Sequence, residues 1–246
     1  DVRQVEALEA AALDARVKLR VLVETDAGGN RCGIEPGAPA ADLARRVAAS
    51  PHLTFAGVQS YHGSAQHIRS DADRAAAVAA EVAGIRSTLA ELGRLGLPCP
   101  IVTGGGTGTF EHELASGVFT EIQAGSYCFM DADYGRNLNA LGKAESAFRQ
   151  SLFVLSTVMS AARPGTAVVD AGHKSVSIDS GLPLVHARNG VRYVDASDEH
   201  GTLAYDDGAK PPLLGEKLRL VPGHCDPTVD RHDWYVCVRA GRVEAV

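Results

Sequence analysis

The chain has 246 residues, of which 45% are hydrophobic and 22% charged, with a formal net charge of -6. That balance excludes a disordered or fibrous chain and argues against binding a phosphate backbone, whose electrostatic footprint is basic. Apolar runs such as Phe153–Met159 are too short to span a bilayer, and no basic-then-apolar leader precedes them. The cysteines, Cys32, Cys99, Cys128, Cys225 and Cys237, form an odd set without CxxC spacing. They suit reduced thiols in a soluble cytoplasmic enzyme rather than a disulfide frame.

Predicted elements alternate through the first half. Val2–Arg16 carries apolar residues at helical spacing, Val17–Val23 is a short β-branched run, Ala38–Ala49 is a helix and Thr54–Tyr61 a strand. Ala72–Leu95 is a long amphipathic helix with Gly93 and Gly96 as its stop signals. Pro100–Thr103 is a strand, Gly108–Ala115 a helical turn and Phe119–Gln123 a further strand. Strands and helices in this rhythm imply βα units around a parallel sheet.

Beyond about Lys143 the rhythm changes to short runs: Ala167–Val169, Ser175–Ile178, Leu182–Arg188, Val191–Asp195, Lys217–Val221 and Trp234–Arg239. Asn189-Gly190 between two of them predicts a hairpin, because both turn positions want positive φ. The expected division is therefore 1–143, a partial α/β barrel, and 144–246, a mainly β domain. A whole barrel needs eight βα strands and this chain has four, which suggests part of something longer.

Chemistry in parallel α/β units collects where strands end. The first strand runs into Asp26-Ala27-Gly28-Gly29-Asn30-Arg31-Cys32-Gly33, where Arg31 is either a ligand contact at the mouth or a solvated loop residue. The second ends in Tyr61-His62-Gly63-Ser64-Ala65-Gln66-His67. A lone histidine is usually structural, but a pair at a strand end favours a general base. The third ends in Thr103-Gly104-Gly105-Gly106-Thr107-Gly108-Thr109, which can offer backbone N–H groups and hydroxyls to a phosphate, although no P-loop Gly-Lys-Ser/Thr follows. The fourth ends in Gln123-Ala124-Gly125-Ser126-Tyr127, a second small-residue turn able to share that phosphate.

In Pro222-Gly223-His224-Cys225-Asp226-Pro227-Thr228, an extended backbone would place His224 and Asp226 on one side, within reach of one cation, and Cys225 on the other as a buried bystander. Imidazole with carboxylate suits Zn²⁺ or Mn²⁺; a capped turn is the alternative reading. His52, His112, His186, His200 and His232 default to surface or structural roles.

As an ordered set these stretches, with DAGHK at Asp170–Lys174, EHG at Glu199–Gly201 and PGHCDPTV at Pro222–Val229, resemble the alanine racemase-like, fold-type III enzymes of pyridoxal 5'-phosphate. Within that family they are most similar to the D-threonine aldolase and D-serine dehydratase-like branch. The resemblance implies the C-terminal half of a TIM (β/α)8 barrel followed by a mainly β domain. It implies that Arg31 contacts the cofactor's phenolic oxygen, that His62 lies beside the pyridine ring, and that His67 is the base for the substrate's β-hydroxyl. Thr103, Gly104, Gly105, Thr107, Gly125, Ser126 and Tyr127 would hold the phosphate, and Gln123 would face the pyridine nitrogen where alanine racemases carry an arginine. His224 and Asp226 would hold a divalent metal, Mn²⁺ or Zn²⁺ foremost, with Mg²⁺ or Co²⁺ as further candidates.

The implied reaction cleaves D-3-hydroxy amino acids to glycine and an aldehyde. Its partners are small-molecule substrates rather than nucleic acid or membrane, and the family's habit is a homodimer. The alternative is dehydration of D-serine or D-threo-3-hydroxyaspartate, whose enzymes tend to carry His-x-Cys in place of His224-x-Asp226. One departure from the pattern leaves a third reading open. None of Lys18, Lys143, Lys174, Lys210 and Lys217 sits in the family's Schiff-base lysine motif, so an inactive fragment or a cofactor-binding relic is the remaining possibility.

Overall fold

The structure, a computed structural model, describes residues 1–144 and 146–246. They form two compact units: Asp1–Gly125 with Asn137–Glu145, and Ser126–Arg136 with Ser146–Val246. The chain thus enters the second unit at Ser126, returns to the first at Asn137, and leaves it again just past the expected cut at 143/144.

The first unit is a run of βα elements: α1 (Val2–Asp14), β1 (Leu19–Thr25), α2 (Ala38–Ala48), β2 (Leu53–Ser60), α3 (Asp71–Arg94), β3 (Ile101–Gly104), α4 (Phe110–Ser116) and β4 (Glu121–Ile122). The strands pair in chain order, β1-β2-β3-β4, and every pairing is parallel. Local chemistry sets the helix ends. The Ser70 hydroxyl accepts from the Asp73 N–H at the start of α3, with Asp71 and Asp73 against the positive end of its dipole. Gly96, at φ +68°, ends that helix, whereas Gly93 lies inside it.

Val5 and Ala12 of α1, the alanine face and Val47 of α2, Val23 of β1, Leu53 and Val58 of β2, and Leu92 of α3 make one apolar core. Small residues dominate α2 there, and they let the helix lie close on the sheet. The buried Thr88 hydroxyl accepts from Gly37 N–H at 2.8 Å and donates to the Gly84 carbonyl at 3.0 Å, tying the start of α2 to α3.

The second unit is an antiparallel sheet of six strands: β5 (Val154–Ser160), β6 (Thr166–Val169), β7 (Leu184–Val185), β8 (Val191–Ala196), β9 (Gly201–Tyr205) and β10 (Lys217–Val221), in the order β7-β10-β5-β6-β9-β8. A short helix, α5 (Asp226–Val229), and an exposed hairpin of β11 (Cys237–Arg239) and β12 (Arg242–Ala245) follow. Its core is Val154 and Val158, Ala167 and Val169, Leu203, Tyr193, Leu218 and Leu220.

Two expectations are corrected here, and β5, β9 and β12 are strands outside the predicted runs. Asn189-Gly190 does not close a hairpin: β7 and β8 stand at opposite ends of the strand order, and of the two turn residues only Gly190 has positive φ. Ser175–Ile178 is not a strand, because the buried Ser177 N–H is taken by the Thr228 hydroxyl at 3.1 Å instead of a ladder. β9 opens on Gly201, where a Cβ would lie 2.3 Å from the Tyr193 ring, so the glycine serves packing rather than a turn.

Candidate functional site

In the first unit, Asp26 closes the loop after β1 by accepting from the N–H groups of Gly28 and Asn30, at 2.9 and 3.2 Å. Gly33, at φ +104°, is required there, since a Cβ would lie 2.4 Å from Asp26 N. This loop meets the 3-10 turn Gly63–His67 that follows β2. The His62 ring packs over Gly28 and Gly29, and the Arg31 guanidinium stands 5.3 Å from the centre of the Tyr61 ring and 4.0 Å from Glu24. Burial holds the His62 imidazole below its ordinary value despite nearby Asp26, which favours the neutral ring. Its Nδ1 is buried without a hydrogen-bond partner. Arg31 and His67 are exposed.

The loop after β3 is buried almost throughout. Gly104 packs flush on β2, where a Cβ would lie 1.7 Å from the Ser60 carbonyl oxygen. The Thr107 hydroxyl, by contrast, is buried without a partner. The Thr103 hydroxyl donates to Glu121 at 2.7 Å and accepts from Gln123 Nε2 at 3.0 Å, so Thr103 and Gln123 hold each other at the strand ends.

In the second unit, Ser126 is buried and its hydroxyl lies 3.5 Å from Asp226 Oδ1, while Tyr127 is exposed and its ring lies 5.2 Å from that of Phe148. His224 Nδ1 faces Asp179 Oδ2 at 3.0 Å and the Ser180 hydroxyl at 3.3 Å, and its Nε2 lies 3.9 Å from Asp226 Oδ2. The backbone here is not extended as the sequence suggested: Cys225 is in the α region and Asp226 opens α5. A tight turn nevertheless brings His224 and Asp226 together. Cys225 is fully buried, and burial pushes its thiol well up, against ionisation.

Asp179 is held at about 2: burial alone would raise its carboxyl, but the His224 hydrogen bond and the Ser177 and Ser180 hydroxyls outweigh it. The turn itself is fastened by buried Asp131, which accepts from the N–H groups of Cys225 at 2.7 Å and Tyr134 at 2.8 Å.

Asp131, Asp179, Gln66, Thr109 and Glu113 were not singled out by sequence. Gln66, Thr109 and Asp131 stand inside the motifs that were; for Asp179 no local signal exists, because it reaches His224 across 45 positions of chain. DAGHK and EHG meet: Lys174 bonds Glu199 at 2.8 Å, and Gly172 admits the backbone of His200, whose N would lie 2.6 Å from a Cβ. Among the other lysines, Lys18 leads into β1, Lys143 and Lys210 are exposed, and Lys217 bonds the Thr157 hydroxyl at 2.5 Å.

Comparison with known proteins gives two family matches: the "Alanine racemase, N-terminal domain" over residues 1–133 and the "Putative serine dehydratase domain" over residues 151–238. The chain is 47% identical to a 3-hydroxy-D-aspartate aldolase of Paracoccus denitrificans (strain Pd 1222), with 100% of the chain and 64% of that protein covered. It is 46% identical to a D-threonine aldolase of an Arthrobacter species, covering 96% and 62% respectively. The crystal structure of D-threonine aldolase from Filomicrobium marinum superposes with a TM-score of 0.95 at 48% identity, over 100% of this chain and 66% of that one. The chain thus spans somewhat under two thirds of these relatives. The parallel βα unit and the separate antiparallel β unit are the expected architecture, and with more than half of its residues matched the chain belongs to the alanine racemase N-terminal domain family, of fold type III.

Proposed function

We propose that the protein is a D-3-hydroxy amino acid aldolase, working with pyridoxal phosphate and a divalent cation to release glycine and an aldehyde. The carrying observation is the convergence of His224 Nε2 and Asp226 Oδ2, 3.9 Å apart, with His224 Nδ1 occupied by Asp179. Imidazole and carboxylate at that separation are a donor pair that suits a Mn²⁺- or Zn²⁺-like ion. The named relatives, aldolases of D-threonine and 3-hydroxy-D-aspartate, support the same reaction class.

The first unit fits the cofactor in its polar atoms. The buried, unpartnered Thr107 hydroxyl stands in a glycine loop, as an anion seat requires, and the His62 Nδ1 is likewise unsatisfied. When bound, pyridoxal phosphate supplies an electron sink for the carbanion left by carbon–carbon cleavage. Thr107, Gly104 and Gly105 are proposed to hold its phosphate, with Thr103, Gly125, Ser126 and Tyr127 as further contacts. Gln123 would offer a neutral amide to the ring nitrogen, and Arg31 a guanidinium to the phenolic oxygen. His62, held toward the neutral form by burial, would lie beside the ring without adding charge. His67, exposed at the end of its turn, is assigned the β-hydroxyl proton, and His224 and Asp226 would hold a divalent ion, which would supply Lewis-acid character there.

A dehydratase is the second reading, favoured by the serine dehydratase domain match over residues 151–238. Asp226 speaks against it, since a carboxylate stands where such enzymes tend to carry the cysteine of His-x-Cys. The product test separates the readings. With pyridoxal phosphate, Mn²⁺ and D-threonine, an aldolase yields acetaldehyde and glycine; 2-oxobutanoate and ammonia would establish the dehydratase, and no turnover of any D-3-hydroxy amino acid would favour a relic. The cysteine pattern, an odd set without CxxC spacing, supports placing the protein in the reducing cytoplasm.

A further inference from the structure

One buried side chain belongs to none of the roles above. Gln66 is 1% exposed and lies between the two candidate histidines of the turn Gly63–His67. Its amide reaches the glycine loop at two separate points. Nε2 donates to the Thr109 hydroxyl at 2.7 Å, and Oε1 accepts from the Gly108 N–H at 2.9 Å. Nε2 also approaches the His62 carbonyl at 3.3 Å, within its own turn.

The loop is shaped around this side chain. A Cβ at Gly106 would lie 2.5 Å from Gln66 Oε1, and one at Gly108 2.3 Å from the Gln66 carbonyl oxygen. Thr109 passes the tie on, donating to buried Glu113 Oε1 at 2.6 Å and accepting from Gly106 N–H at 3.4 Å. Glu113 in turn fills the space beneath Gly105, where a Cβ would lie 3.0 Å from its Cγ. On the other side, Asn137 donates to the Gln66 carbonyl at 2.9 Å and accepts from Arg69 at 2.7 Å.

A buried amide satisfied at both ends is a rigid strut, because either end left unpaired costs the full desolvation penalty of that group. An aliphatic side chain of similar volume would fill the same space without fixing either end.

We propose that Gln66 is a positioning residue: it locks the turn carrying His62 and His67 to the Gly105–Thr109 loop, so that the candidate base and the candidate phosphate seat keep one geometry. The role in binding rests on the cofactor reading above; the lock itself does not.

The test compares the full chain with Gln66→Leu, Thr109→Val and Thr109→Ser by amide hydrogen exchange, well below each variant's melting temperature, together with titration of pyridoxal phosphate. Gln66→Leu and Thr109→Val are expected to speed exchange about tenfold or more in both segments, His62–His67 and Gly105–Thr109, and to weaken cofactor binding by about tenfold. Thr109→Ser keeps the hydroxyl and should match the unaltered chain. Faster exchange in one segment alone, or unchanged exchange in both, overturns the lock. Loosened segments with undiminished cofactor affinity overturn the positioning role. If the unaltered chain binds no cofactor, the cofactor reading falls and the positioning role with it, while the exchange data still judge the lock. Should Gln66→Leu fail to fold, Thr109→Val breaks the same bond from the other side and carries the comparison.

Discussion

Glu81 shows how a single residue can govern the response of the first unit to pH. It lies on α3, 4% exposed, with both carboxylate oxygens lacking a hydrogen bond; Ser60 is near enough to oppose the effect of burial without hydrogen-bonding geometry. Burial, aided by the charge of Glu113, pushes its carboxyl up to about 8. Because the fold favours the protonated form, this stabilisation is complete below about 4.5, the unfolded value, and is lost as pH rises through 8. Stability should therefore fall by roughly 3 to 5 kcal/mol between pH 5 and pH 9. Denaturant melts across that range check it, and Glu81→Gln should flatten most of the slope; an unaltered slope would assign the loss elsewhere, with Glu113, also raised by burial, the next group to vary.

Asp179 is the second case at this scale. Its 3.0 Å contact with His224 Nδ1 orients the ring so that Nε2 is the nitrogen beside Asp226. Asp179→Ala is expected to weaken Mn²⁺ binding about 10- to 100-fold, read by calorimetric titration. Unchanged affinity would detach Asp179 from the site.

The elements carry their own consequences. β2 and β3 approach so closely that Gly57 and Gly104 are demanded by packing: a Cβ at Gly57 would lie 2.0 Å from the Ile101 carbonyl oxygen, and one at Gly104 1.7 Å from that of Ser60. Backbone cannot yield there as a flexible side-chain tip could. Gly104→Ala should cost about 3 kcal/mol or more and lower the melting temperature accordingly, whereas Gly93→Ala, with open space around it inside α3, should stabilise by about 1 kcal/mol. The two melts together separate a packing glycine from one that is merely helix-weakening.

Element existence in the first unit was legible because strands and helices alternate with distinct periodicities, and α1 and α3 carry side-chain N-caps; boundaries differ by at most two residues at each end. The second unit was less legible. Strand order there is set by which side chains bury together, as when Gly201 admits Tyr193, and a hairpin signal at Asn189-Gly190 has no force when the flanking strands find other partners.

For the molecule as a whole, each compact unit carries one class of candidate ligand contact, glycine loops in the first and the His224–Asp226 pair in the second. Mn²⁺ alone should therefore raise the melting temperature by mass action, about 2.7 kcal/mol at a hundredfold excess over its dissociation constant, and Asp226→Ala should abolish that rise. A rise that survives Asp226→Ala would place the ion elsewhere.

The amino-acid sequence by itself determined the βα alternation, the glycine-bearing strand ends and the type of residue at each candidate position, since these depend on local periodicity and turn chemistry. Only the tertiary structure decided that a curled backbone, not an extended one, joins His224 to Asp226, that Asp179 and Asp131 brace them, and that Gln66 bridges two loops. Those relations link residues tens of positions apart, and burial, which sets the charge of His62, Glu81 and Cys225, exists only once the chain has packed.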